Sequence, residues 1–93
     1  QSGKDNNMIT LHKIVDQRAE ALEFKVPDNS SMAGKAIEDI DLKPNILIAC
    51  VNRKGKIIIS NGKTVIKAGD SIIVVTRDTN LRNIKDILRH KEG

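Results

Sequence analysis

The chain has 93 residues, 39% of them hydrophobic and 30% charged, with a net charge of +4. That is length for one domain, and a chain this short buries only about 60–65% of its unfolded surface, so self-association is a common remedy for a thin stability margin. With one aromatic residue, Phe24, and one cysteine, Cys50, the composition excludes an intrachain disulfide and a cysteine-built zinc site, and it argues against the stacking platforms of a nucleic-acid reader.

Residues 1–7, QSGKDNN, are polar and unpatterned; they read as a tag or frayed terminus, and 8–93 as a single domain. Residues 8–16 are rich in β-branched side chains and predict a first strand. Asp16-Gln17-Arg18 predicts the turn into a second strand over 19–26, where Leu22, Phe24 and Val26 share one face at a period of two. The alternative is a helix from Ile9 to Glu23, whose apolar spacing fits less well. Pro27 ends the second strand. Ser30 or Ser31 then predicts the cap of a helix over 32–40, with Met32, Ala33, Ala36, Ile37 and Ile40 on one face. Gly34 inside it costs about 1 kcal/mol against alanine, a hint of close backbone contact or of a later helix start.

Residues 46–76 hold the densest strand signal. The run 46–52 is the most apolar and is expected at the centre of the sheet. Lys54-Gly55 turns the chain into 56–60. Asn61-Gly62 reads as a hairpin turn into a short strand over 63–67, and Gly69-Asp70 as a turn into 71–76. Asp78 or Thr79 would cap a last helix with Leu81, Ile84, Ile87 and Leu88 at helical spacing, and Arg89 and His90 would complement its dipole. The layout is α+β: a small mixed or antiparallel sheet with two helices.

Little in this pattern carries chemistry. His12 and His90 lie in different elements with no metal-ligand spacing. The serines fall at turns and strand edges, where serine falls anyway. Glu38, Asp39 and Asp41 read as a solvated face rather than an acid–base pair. Gly62-Lys63-Thr64 lacks the first glycine and the following helix of a phosphate loop. Cys50 sits in an apolar run and reads as a small buried hydrophobe. The densest basic patches are Arg53-Lys54-Gly55-Lys56 and Arg89-His90-Lys91. They read as solvated surface, so no nucleic-acid partner is expected. No apolar run approaches a membrane span, and no signal peptide is seen.

Three phrases carry a family resemblance. They are G-K-x-I-x-x-I-x-L over 34–42, I-x-I-A-x-V-x-R-x-G over 46–55, and G-x-T-V-I-x-x-G-D-x-I-I-V-V over 62–75. Together they resemble the TrkA-C domain, the C-terminal subdomain of RCK proteins. The lead-in 11–26 is similar to the strand pair preceding it in peripheral subunits of Trk potassium uptake systems. One departure is Ser60, where the family often has proline. The resemblance implies a cytoplasmic, non-catalytic regulatory domain that pairs into a homodimer and reaches a membrane potassium-translocating subunit through the whole protein. NAD or ATP would bind a separate N-terminal subdomain whose fingerprint is absent here. Some relatives bind cyclic di-AMP between two protomers. By position, Ala36, Ile37, Ile40, Lys43 and Asn45 would line such a cleft, with Ser60 and Asn61 at its rim: apolar walls for adenine, a cation for phosphate. The alternatives are a TrkA-C domain of an anion or dicarboxylate carrier or antiporter, an assembly module without ligand, and, from another class, a small hydrolase or transferase.

Overall fold

The computed structural model describes residues 8–14, 19–77 and 81–90, with side chains from Ala19 onward. The tag reading of 1–7, the turn at 16–18 and the cap at Asp78 or Thr79 lie outside the described residues. Five strands form: β1 (Met8–Ile14), β2 (Ala19–Lys25), β3 (Ile46–Arg53), β4 (Lys56–Ile59) and β5 (Ser71–Thr76). They make one sheet in the order β1-β2-β5-β3-β4, with every neighbouring pair antiparallel. The expected centre was 46–52. Instead β5 is central, because both β2 and β3 pair with it and β3 gives its other edge to β4.

The period of two decides which face is covered. Leu22 and Phe24 on β2, Ile72 and Val74 on β5, and Val51 on β3 are all at most 2% exposed, and full burial of each such side chain stabilises by about 1.5–3 kcal/mol. A register shift between Ile48 and Cys50 lets β3 place both Ile48 and Val51 in this layer. Val26, Met32, Ile40, Ile66, Leu81, Ile84, Ile87 and Leu88 complete the core. They come from a 3-10 turn and irregular segments, not from α-helices.

The two expected helices are therefore corrected. Gly34 has φ +89°, a left-handed conformation no helix interior accepts. The backbone of 34–38 then spends its hydrogen bonds on 62–66: Gly34 N donates to Ile66 O (2.7 Å), Ile37 N to Thr64 O (2.9 Å) and Glu38 N to Gly62 O (2.9 Å). Only a 3-10 turn at Ile37–Asp39 remains. Near the C-terminus, Asn83 caps a 3-10 turn at Ile84–Ile87, its side chain accepting from Lys85 N while Asp86 reaches back to the Asn83 amide. Beyond it, Arg89 N donates to Asp41 O (2.9 Å), and Ile87 O accepts from Lys43 N (2.9 Å). The segment pairs with 41–43 instead of coiling. Leu81, Ile84, Ile87 and Leu88 are nonetheless all buried, as their spacing indicated.

The strand expected at 63–67 is likewise reduced to a single bridge, Val65 to Ala36. Lys54 (φ +54°) and Gly55 (φ +85°) make the predicted two-residue hairpin, with Asn52 Oδ1 accepting from Gly55 N at 3.0 Å. At Asn61-Gly62 there is a turn, closed by Thr64 N on Asn61 O (3.1 Å), but no hairpin and no positive φ.

Candidate functional site

Arg53 and Asp70, 17 residues apart, form a clamp that composition and periodicity do not reveal. Arg53 Nε donates to Asp70 Oδ1 and Nη2 to Oδ2, both at 2.9 Å. Nη2 also donates to Val65 O and Lys67 N to Asp70 Oδ2, each at 2.9 Å. Asp70 is 2% exposed, and the Arg53 side chain 29%. Burial opposes ionisation of Asp70. The Arg53 hydrogen bond, the Lys67 amide and the charges of Arg53 and Lys67 outweigh it, holding the carboxyl below the usual carboxylate range. The Asp70 hydrogen bond likewise raises the Arg53 guanidinium, against a smaller effect of burial. The pair ties the β3–β4 hairpin to the turn before β5. It reads as a structural tie.

The sheet's outer face is apolar near β4. Ile59 lies opposite Cys50, and Cys50 opposite Ile73; Leu47 lies opposite Val75, and Val75 opposite Ala21. Directly paired residues share a face, so these side chains form two apolar rows. Leu47 is 61% exposed, Ile57 54% and Ile59 77%. Toward β2 the face turns polar, with Glu23 beside Ile73 and Lys25 beside Ser71. Cys50 belongs to this face and is half-buried, so it is not the core residue expected.

The candidate ligand residues fall at three places in the protomer. Ala36 and Ile37 sit against Thr64 and Val65, next to the 60–61 turn. Lys43 and Asn45, with Pro44 and Ile46, line a hollow of about 280 Å³. Ile40 is buried in the core at 8% exposure. Asn61 is partly committed: its Oδ1 accepts from Lys63 N at 2.8 Å and its N donates to Thr64 Oγ1 at 3.0 Å. The Ser60 hydroxyl is buried without a hydrogen-bond partner.

Among the described residues no three His, Cys, Asp or Glu side chains converge as a metal site, and no helix is long and apolar enough to cross a membrane. The geometry is that of a small β module whose β3–β4 hairpin and pre-β5 turn are tied by an internal ion pair.

The comparison with known families is specific. The model of the TrkA-C domain matches residues 21–89, and the chain belongs to that family. Relatives include proteins named Trk system potassium uptake protein TrkA homolog. One from Archaeoglobus fulgidus is 37% identical over 70 residues, covering 75% of this chain and 16% of that protein. One from Pyrococcus abyssi is 32% identical over 74 residues, covering 78% and 33%. A TrkA protein from Azorhizobium caulinodans is 25% identical over 79 residues, covering 85% and 17%. The chain thus spans a third or less of the relatives it matches.

Proposed function

We propose that this chain is a regulatory, non-catalytic module of the cytoplasmic subunit of a potassium uptake system. In this reading it works as a pair: two copies pack through the outer sheet face, and a small effector biases the arrangement of the pair. The observation that carries the reading is the exposed apolar side chains of Leu47, Ile57 and Ile59 on the outer sheet face of a domain of the TrkA-C family. Such a surface on so short a chain is better covered than left in water.

A second copy is the occupant the relatives favour. The Archaeoglobus protein, of which 70 matched residues are 16%, is about twice as long as the Pyrococcus protein, of which 74 are 33%. A twofold relation of length is what results when a two-fold pair is joined into one chain. Pairing would also bring a second set of Lys43, Asn45 and Ser60 into play, and cyclic di-AMP, itself two-fold symmetric, is the effector to try. An effector acts here only by binding two arrangements of the pair with different affinity.

The test is sedimentation equilibrium on the wild type and Ile59→Lys, followed by calorimetry with cyclic di-AMP. The reading expects a wild-type dimer, a folded monomer for the variant, and one dinucleotide bound per dimer. A wild-type monomer removes the pairing. A folded dimer that takes up no dinucleotide leaves an assembly module and removes that effector.

A further inference from the structure

A second hollow, of about 290 Å³, lies between the turn at 31–34 and the C-terminal segment. Its floor is Met32, Ile40 and Leu88, each at most 8% exposed. Its rim carries Ser31, Lys35, Asp41 and His90. The C-terminal segment is fixed to residues 41–42 by Arg89 N on Asp41 O (2.9 Å) and by the bridge between Leu42 and Leu88. Lys35 is fixed through its backbone, which accepts from Ile66 N at 2.9 Å.

The charges on the rim are unequal. Asp41 is compensated, with Arg89 Nε at 2.9 Å and His90 Nε2 at 3.9 Å. The ammonium of Lys35 and the hydroxyl of Ser31 have no partner among the described residues. The hollow therefore offers an aliphatic floor, one unpaired cation and one hydroxyl. Its volume sits at the lower end of small-molecule sites, which run from about 300 to 1,000 Å³, and is too small to enclose a dinucleotide.

We propose that this hollow binds a small monocarboxylate with a short apolar body. The carboxylate meets Lys35 and Ser31, and the hydrocarbon lies on Met32, Ile40 and Leu88. A dianion is disfavoured because Asp41 stands on the same rim and only one cation there is unpaired. The ligand touches Ile40 and Leu88 together, so occupancy also tightens the docking of 88–90 on 41–43. The site is independent of pairing through the sheet face.

Methyl and amide NMR on the whole chain tests this, with hexanoate as probe and hexanol and inorganic phosphate as controls. Hexanoate is expected to give saturable shifts at the Met32, Ile40 and Leu88 methyls, with a dissociation constant of about 1 mM or tighter. It is also expected to slow exchange of the Arg89 amide. Lys35→Gln, at an exposed position, should weaken binding about tenfold through loss of one charge-assisted contact. Shifts that never saturate, equal affinity in Lys35→Gln, or equal affinity for hexanol or phosphate would each overturn the assignment.

Discussion

Replacing Arg53 by methionine strands the Asp70 carboxylate. That group is 2% exposed and would keep one hydrogen bond, from Lys67 N. Removing one partner of a fully buried pair costs about 3–5 kcal/mol. The Arg53 side chain is 29% exposed, so water already screens the pair in part, and about 2–4 kcal/mol is expected here. A domain of this size is stable by roughly 5–14 kcal/mol, so the loss is a large share and should lower the urea midpoint by more than about 1 M. The pH dependence separates this mechanism from simple loss of packing. In the wild type the native Asp70 pKa is depressed. Its stabilisation is complete above the unfolded value of about 3.9 and is lost as pH falls through the native value. In Arg53→Met only the Lys67 amide and charge still oppose burial, the largest effect on this group, and the native pKa rises above the unfolded one. Stability should then increase as pH falls through that raised value, inverting the contribution. Asp70→Asn removes the titration and serves as the reference. Urea unfolding of the three proteins between pH 3 and 8 measures this. A loss below about 1 kcal/mol at neutral pH, or a wild-type acid limb in Arg53→Met, would refute the reasoning.

Gly69 has φ +90°, so Gly69→Ala should cost about 1–2 kcal/mol of backbone strain, read as a fall in the thermal midpoint. Gly62 has an ordinary φ, and a Cβ there would meet Glu38 Oε1 at 3.1 Å; Gly62→Ala should cost less than Gly69→Ala in the same assay. Ser60→Ala deletes a buried hydroxyl with no partner and should be neutral or stabilising by up to about 1 kcal/mol, against the usual destabilisation of truncation, as urea unfolding will show. Asn83→Ala removes the cap of the last turn and should cost about 1 kcal/mol, with faster amide exchange at Lys85.

The strands were legible because their signal is local. The alternation of Leu22, Phe24 and Val26 marked the buried face of β2, and β5 formed over the expected 71–76. The helices failed for a non-local reason. Apolar residues at three- and four-residue spacing in 32–40 satisfy a 3-10 turn and a folded-over loop as well as a helix. The choice is made by carbonyls at 62–66, which no window around Gly34 contains. Asn61-Gly62 carries a hairpin signal, whereas Gly62 lies against Glu38. Arg53 and Asp70 both stood in the phrases that carried the family resemblance, but spacing alone cannot bring residues 17 apart together. The outer apolar face has a signal in the sequence: Ile57-Ile58-Ile59 does not alternate, and a strand apolar on both sides has two faces to cover. Of the candidate ligand residues, position in the chain placed Lys43 and Asn45 together, while the chain path separates them from Ala36 and Ile37.

The order β1-β2-β5-β3-β4 also sets how this domain can assemble in time. Its central strand is the one made last, so the sheet cannot close by growing outward from an early nucleus. Until residues 71–76 arrive, β2 and β3 each hold an open edge, and only the β1–β2 and β3–β4 hairpins can form locally. Synthesis at about 5–20 residues per second leaves the β3–β4 hairpin waiting roughly a second or more for its neighbour, with the core-facing Ile48 and Val51 uncovered. Insertion of β5 between two preformed hairpins is a high-contact-order step of the kind that takes milliseconds to seconds. Nascent chains are most prone to stick to one another in that interval, and the cationic Arg53-Lys54-Gly55-Lys56 turn at the hairpin tip keeps those edges apart by charge.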